Sequence, residues 1–561
     1  SIKAKQGDVL VFSFLGMDTM RMTVGASNSV DVKMKMGVAL NEVVVQNLGY
    51  FKKDAKKMSS SVSTVSAEEI TRQSPAITIV NALQGQAAGV QVTNNNGKPG
   101  AGAFVSVRGA VSITGGSASA IYVVDGAFVS GTEASALNSA DIESVNILKD
   151  GASAAIYGVR GANGVVVITT KKGKNAKAKF TFDNSIGFTQ KIKDTWRMMN
   201  AEEKIRYESE IGAGPSFGKT QAEIDLLKSY NQDWQDTLLK DGFVQNNVFS
   251  YSGGDEKYTN YMSLGYTENT GIIDNLKGFN RITGRYNSEY KASDKVKFGF
   301  NVGGSYEKFN EPRDRNNAQN PFRAMYDYNP YEPLYQRDAT GQVVLDSFGN
   351  PIFNTPAAGF PIAEAILNNT EQQRFFRVYG RPFVEIGLIK NLTLNSQMSI
   401  NYERYQRETF TKPNSFLDLI VGDPAARGQK TDNGHDDLQY QWTNSLNYKF
   451  NIAENHNFDA TVLYEYFKQN FRSYTLTRKG YLNGNLPTAG TAVVGVPATG
   501  RTENATISMF GNLDYDYKGK YLVSLYGRRD GSSVLGANNK YEFAKGASIG
   551  WVATNEEFLS D

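Results

Sequence analysis

The chain has 561 residues, with 60 Lys and Arg against 57 Asp and Glu, no cysteine, and two histidines, His435 and His456. Those counts exclude a disulfide scaffold and thiolate chemistry, leave little for a histidine metal site or a Ser/His triad, and at a net charge of +3 give no footprint for nucleic acid. Aromatic residues form 12% of the chain beside 54 glycines, and no run of about 18 apolar residues occurs, a mixture that points to an all-β protein without a transmembrane helix.

The first residues, SIKAKQGDVLVFSFLGM, open as if in mid-domain. The stretch LNEVVVQN (Leu40 to Asn47) then sets three valines in a row, a strong strand former with no obvious hairpin partner, and a strand that short is marginal alone in water. Lys52, Lys53, Lys56 and Lys57 follow it.

Residues 68–174 read as a mixed α/β domain. SPAITIVNALQGQAAGVQV predicts a short helix with Ser74 as N-cap and Pro75 at its first position, then a strand. FVSVRGA, AIYVVDG and GVVVITTKKG predict short strands bounded by glycine, whereas SADIESVNILKD and GASAAIYG predict helical or turn segments. GKPGAGAF (Gly97 to Phe104) has the glycines of a phosphate loop but lacks the following Lys-Ser/Thr, so it reads as an ordinary loop. The run Lys171, Lys172, Lys174, Lys177 and Lys179 reads as a solvated rim. Arg108, Asp125, Lys149, Asp150 and Arg160 have two readings, as ion pairs that latch this domain to its surroundings or as satisfied surface charges.

From about residue 177 the pattern changes to strands with period-two alternation. In NLTLNSQMSINY, Leu392, Leu394, Met398, Ile400 and Tyr402 share one face, and Asn395, Gln397, Ser399 and Asn401 the other. LQYQWTNSLNYKF repeats this with Leu438, Tyr440, Trp442, Leu446 and Tyr448 against Gln439, Gln441, Thr443, Ser445 and Asn447. About twelve such strands are predicted, near 178–190, 243–253, 258–270, 278–290, 295–308, 373–386, 391–404, 436–450, 458–472, 501–517, 520–530 and 540–552. A soluble sandwich would bury the apolar face in a second sheet; a membrane barrel would turn it to lipid. Long and short connections alternate along the segment, which an up-and-down membrane barrel requires and a sandwich does not. Tyr290, Tyr306, Tyr402, Phe450 and Tyr517, near strand ends, suit an interfacial aromatic belt.

The long connections are where a ligand would bind. In loop 191–242, Asn200 with Glu203 and Thr220 with Glu223 have the spacing of capping boxes. Loop 309–372 carries Phe322, Arg323, Tyr326, Tyr328, Tyr331 and Tyr335; the flat tyrosine rings and their hydroxyls suit sugar rings or peptide backbones, while for any single Tyr the packing of the loop on itself or on a lid is the favoured reading. Carboxylate pairs such as Asp436–Asp437 have no companion that would make hydrolytic chemistry specific, and no enzyme activity, metal or cofactor is expected.

NALQGQAAGVQV, VRG, IYVVDG and DIESVNILKDGASAAIYGVRGANGVVVITTKKGK together resemble the plug domain of SusC/RagA-type TonB-dependent outer-membrane transporters, and DWQDTLLKDGFVQNNVFSYSGGDEKYTNYMSLGYTENTGII resembles the first outer loop and early strands of that family. The resemblance implies an all-β transmembrane barrel, with about 22 strands in full and about 12 here, filled by an N-terminal α/β plug. It divides the chain into 1–38, the end of a carboxypeptidase-regulatory-like β-domain; 39–50, a TonB-box segment; 51–174, the plug; and 175–561, the first part of the barrel with long extracellular loops. Both ends are then expected to be incomplete. Leu40, Asn41, Glu42, Val43, Val44 and Val45 would be the TonB-binding strand, unless the valines simply end the N-terminal domain. The function implied is TonB-dependent import of an oligosaccharide or oligopeptide across the outer membrane of a Gram-negative bacterium, of the Bacteroidota. TonB with ExbB and ExbD, a SusD-like lipoprotein lid, outer-membrane lipid and lipopolysaccharide are the implied partners, with a dimer of transporter–lipoprotein pairs as the implied assembly. A passive porin or a structural, adhesive barrel is the alternative.

Overall fold

The computed structural model describes residues 4–5, 7–12, 20–25, 32–33, 45–71, 78–94, 97–109, 119–191, 197–311, 320–347, 349–482, 484, 488, 492 and 494–559. Near the N-terminus β1 (Val9–Phe12) pairs antiparallel with β2 (Met20–Thr23). A second small hairpin joins β3 (Val45–Asn47) to β4 (Lys52–Asp54).

A compact α/β unit follows. Its strands are β5 (Val62–Ser66), β6 (Val90–Thr93), β7 (Phe104–Val107), β8 (Ile121–Val124), β9 (Ala127–Val129), β10 (Ile142–Leu148) and β11 (Val165–Thr170). Five of them form one sheet in the order β5-β10-β11-β8-β9, while β6 and β7 pair separately. The segment IESVNIL, expected to be helical or a turn, is strand β10 between β5 and β11. Its apolar residues Ile142, Val145, Ile147 and Leu148 imitate a helical spacing because both faces of the strand are buried, which erases the period of two. The predicted cap Ser74 lies outside the described residues; the helix there, Ile79–Ala82, is capped by Thr78. Asp125 and Gly126, at φ +49° and +92°, make the tight turn between β8 and β9, an Asp-Gly pair where both positions need positive φ.

The remaining strands form one twelve-stranded antiparallel meander in chain order: β12 (Ala176–Thr189), β13 (Gly242–Gly254), β14 (Tyr258–Asn269), β15 (Gly278–Lys291), β16 (Val296–Glu311), β17 (Asn369–Ile389), β18 (Leu392–Thr411), β19 (Gln429–Ile452), β20 (His456–Lys479), β21 (Val494–Tyr517), β22 (Tyr521–Ser532) and β23 (Tyr541–Trp551). Tight turns at 255–257, 292–295, 390–391, 453–455 and 518–520 lie at one end, and the long connections at the other. The polarity of the sheet is inverted relative to a soluble protein. Met398, Ile400 and Trp442 are exposed on the convex face, whereas their alternating neighbours Gln397, Ser399, Asn401, Gln441 and Thr443 are buried. A polar face stays buried only where its groups are bonded, and the α/β unit supplies partners: the Phe128 amide donates to Gln441 and its carbonyl accepts from Asn401, beside an apolar contact of Leu48, Tyr50, Phe128 and Tyr157 with Leu463, Phe467 and Phe510 of the wall. No helix among the described residues is long and apolar enough to cross a membrane.

Candidate functional site

The seam between the inner unit and the wall begins at the β3–β4 hairpin. Of the expected TonB-binding strand, Leu40, Asn41, Glu42, Val43 and Val44 lie outside the described residues, and the Val45 backbone pairs with Asp54. Directly after it the chain is tied in two directions. Inward, Asn47 donates to Thr169 Oγ1 at 3.0 Å, Asn146 donates to the Asn47 carbonyl at 3.0 Å, and the Tyr157 hydroxyl donates to the Leu48 carbonyl at 2.6 Å. Outward, Tyr50 donates to Glu465 of β20, Lys53 pairs with Asp514 at 2.7 Å, and Lys57 pairs with Asp516 at 2.9 Å, both acids on β21. Ser59 meets Ser548 of β23, oxygen to oxygen, at 2.6 Å. The Lys53, Lys57 and Ser59 contacts are at the tight-turn end of the sheet, and Tyr50 reaches further along β20 to Glu465. Beside them lies a polar cavity of about 470 Å³ lined by Asn47, Tyr50, Lys53, Asp125, Gln397 and Asn447, among others.

The structure divides the five latch candidates. Arg108 is exposed, Lys149 donates to the Ala88 carbonyl at 2.7 Å, and Asp150 caps a helix through Ser153 while accepting from the Ser61 amide, so these bonds of the last two stay within the inner unit. Asp125 and Arg160 reach the wall. Asp125 accepts from Thr170 through its amide at 3.0 Å and its hydroxyl at 2.6 Å, and faces Arg285 of β15 at 3.8 Å. Burial disfavours its charge, but Arg381, Arg285 and the Thr170 bonds prevail and hold its carboxyl below the usual range. Arg160 donates to Thr506 at 2.9 Å with its guanidinium 4.2 Å from the Phe467 ring centroid. The wall side of the seam, Arg281, Arg285, Glu307, Arg377, Arg381, Glu403 and Glu465, was not singled out from the sequence. Its signal is present there, as charges in mid-strand on the polar face of an alternating segment.

At the opposite end the long loops carry their own cores. Both predicted capping boxes form, Asn200 with Glu203 starting helix Ala201–Ile211 and Thr220 with Glu223 starting helix Gln221–Tyr230. Tyr328 is buried, donating to the Phe360 carbonyl and accepting from the Ile362 amide, and its ring meets Trp234 edge-on at 4.9 Å. Tyr331 is buried with its hydroxyl on Glu208, and Tyr335 stacks on Phe353. Phe322, Arg323 and Tyr326 are exposed, Arg323 pairing with Asp327 at 2.6 Å. Phe322 borders a cavity of about 430 Å³ that the inner unit closes with Lys98 and Pro99, the loops with Ile272 and Ile273, and β16 with Phe309. Among the described residues no group of three His, Cys, Asp or Glu is placed to hold a metal.

Comparison with known proteins agrees with this architecture. The model of the TonB-dependent receptor plug domain matches residues 54–165. TonB-dependent receptor P26 of Formosa agariphila is 32% identical over 100% of this chain and 55% of its own length, and TonB-dependent receptor SusC of Bacteroides thetaiotaomicron is 28% identical over 100% and 55%. The chain thus spans about half the length of the curated relatives that it matches. Among solved structures, the RagAB peptide importer in its open-open state superposes with a TM-score of 0.78 at 25% identity, covering 92% of this chain and 59% of that one. The ferric citrate transporter FecA shares the fold alone, with a TM-score of 0.53 at 10% identity. TonB-dependent receptors are outer-membrane proteins, and with a plug, an inverted twelve-stranded sheet and relatives along its whole length, this chain belongs to that family, in its SusC/RagA-type branch.

Proposed function

We propose that the protein imports a nutrient, an oligosaccharide or an oligopeptide, across the outer membrane of a Bacteroidota bacterium by TonB-driven displacement of its plug, and that it has no enzyme activity. The observation that carries this reading is the double tether at the tight-turn end. The segment Leu40–Val45 runs directly into a hairpin bonded both to the plug interior, through Asn47 and Leu48, and to the wall, through Lys53 and Tyr50. A strand added to the sheet of TonB carries load through several backbone hydrogen bonds in parallel, so a pull on Leu40–Val45 arrives first at this hairpin. A passive porin has no use for a plug bonded to its wall at the tight-turn end.

The wider machinery follows from the same reading. TonB acts with ExbB and ExbD, a SusD-like lipoprotein closes over the long loops, and transporter–lipoprotein pairs associate in the plane of the membrane. Phe322, Arg323 and Tyr326 face that lid side and are the residues proposed to meet substrate, with Tyr328, Tyr331 and Tyr335 supporting them from within the loop. Deleting Glu42–Val45 tests the proposal: energised uptake is expected to cease while capture of substrate at the cell surface is retained. Uptake that survives the deletion would refute energy coupling and favour a passive or adhesive barrel.

A further inference from the structure

Four arginines form a stripe on the lumen face of the wall. Arg281 and Arg285 lie four residues apart on β15, Arg377 and Arg381 four apart on β17, and all four are buried under the plug. The carboxylates that answer them come from two bodies. Glu307 and Glu403 belong to the wall: Glu307 pairs with Arg377 and, at 3.7 Å, with Arg281, and Glu403 pairs with Arg377 at 2.6 Å. Asp125 and Asp141 belong to the plug and face Arg285 at 3.8 and 3.6 Å. Both plug acids are bonded within the plug, Asp125 to Thr170 and Asp141 through its carbonyl to the Lys171 amide, so they travel with it.

The stripe is also under-bonded. Arg281 Nε, Arg285 Nε and Nη1, and Arg381 Nε have no hydrogen-bond partner, and the neighbouring Tyr379 hydroxyl has none either. A void of about 40 Å³ opens beside Arg285, Arg377 and Tyr379. Guanidinium groups buried this deeply ordinarily complete their hydrogen bonds, because an unmet buried donor is costly. Here the plug acids supply charge at long range without completing the fork.

We propose that Arg281, Arg285, Arg377 and Arg381 are an anion-binding track in the opened lumen, which the plug carboxylates Asp125 and Asp141 occupy at rest and which carboxylate or sulfate groups of the substrate occupy in transit. Resting on the importer reading above, it assigns the substrate class as negatively charged. When the plug moves, four guanidiniums remain on this side against Glu289, Glu307 and Glu403. Further along the wall the polarity is reversed: Glu465 is balanced by Arg528 of β22 at 3.5 Å, but Asp514 and Asp516 are answered by the plug through Lys53 and Lys57. The negative groups of a substrate are therefore drawn to the β15–β17 side and repelled from the β20–β21 side. Arginine suits the task because its planar fork binds carboxylate and sulfate oxygens in pairs.

The test uses the whole protein purified from its outer membrane, reconstituted in planar bilayers with the plug loosened in low urea, and compares R285Q/R381Q with R285K/R381K. Tetraglutamate and a sulfated disaccharide are added at the loop side, each beside its uncharged counterpart, and block of the ionic current is read. Block by at least one anionic probe is expected, weakened tenfold or more by the Gln pair and retained by the Lys pair; which probe blocks separates carboxylate from sulfate substrates. Heat-modifiable migration of the Gln variant in gels reports that its barrel has assembled. Block that is equal for charged and uncharged probes, or indifferent to the Gln pair, would overturn the assignment, as would a loosened plug that admits no current. Arginine-dependent block in a protein whose Glu42–Val45 deletion still takes up nutrient would refute energy coupling and leave the anion track standing.

Discussion

At Glu208 a single buried carboxylate ties two outer loops together. It lies on helix Ala201–Ile211 and accepts from the Ser216 amide at 2.9 Å and the Ser216 hydroxyl, from Tyr331 of the next long loop at 2.9 Å, and pairs with Lys204 at 3.3 Å. Gly214 makes this possible: at φ +115° it lets the turn fold over Glu208, whose Cδ an added Cβ would approach within 2.5 Å. Burial alone would raise the carboxyl, but the Ser216, Tyr331 and Lys204 bonds outweigh it and hold the group below its ordinary value of 4.5. A carboxyl lowered by folding stabilises the fold above the unfolded value, and that contribution is lost as pH falls through the folded one. The loop contact is therefore expected to loosen below about pH 4.5, read as accelerated hydrogen exchange in 201–211 and 328–335 with the strands unaffected. Tyr331→Phe removes one donor from the buried carboxylate and is expected to cost about 1–3 kcal/mol, a rise in exchange of about fivefold to 150-fold at pH 7. Unchanged exchange in that variant would mean that Glu208 is satisfied without Tyr331. The capping partners of this helix were legible as spacing, but Glu208–Tyr331 was not, because nothing local relates residues so far apart in sequence.

Elements show where pattern reading succeeds. All twelve wall strands were located from alternation, since one face meets lipid and the other the plug, and a period of two survives wherever the two sides differ. It fails past the membrane: β18 to β21 run on to Thr411, Gln429, Lys479 and Val494, several residues beyond their predicted ends, through segments such as QKTDNGHDD in which both faces are polar. There only the backbone ladder, Thr411 against Gln429 and Lys479 against Val494, continues the strand. β10 fails for the opposite reason, both of its faces being apolar surroundings. At the plug–wall seam the absence of cysteine permits a direct experiment. The Ser59 and Ser548 oxygens lie 2.6 Å apart, so S59C/S548C brings two thiols within bonding reach across the seam. The oxidised pair is expected to stop energised uptake and its reduction to restore it, with surface capture of substrate unchanged throughout. Uptake that continues with the bond intact would place the moving part of the plug elsewhere than at Ser59.

The whole molecule is organised by one inversion, apolar side chains outward and polar side chains inward, together with a strict division of its ends. Tight turns gather where the plug hairpin is tethered, and long loops with cores of their own gather at the other end. Both follow from putting a hydrogen-bonded barrel wall in lipid: the outer face must be apolar, the lumen must be filled, and only one rim is free to elaborate loops. The same logic explains why the sequence disclosed the barrel more fully than the seam. Lipid imposes a requirement on every second residue, whereas the plug and wall need only satisfy each other, and many pairings of Arg, Asp and Glu do that. Met398 tests the inversion most simply. It is 41% exposed on the convex face and stands opposite Trp442 in the ladder, well inside the apolar band. Met398→Arg places a guanidinium against lipid and is expected to cost about 2–4 kcal/mol of folding stability in bilayers, read as a lower urea midpoint. Its neighbour Gln397 faces the lumen, where Gln397→Met would instead remove the bonds to Arg381 and Gly126 and loosen the plug without weakening the barrel. A Met398→Arg protein that inserts as readily as the parent would mean that this face does not meet hydrocarbon, and the inverted sheet would then need a protein partner around it.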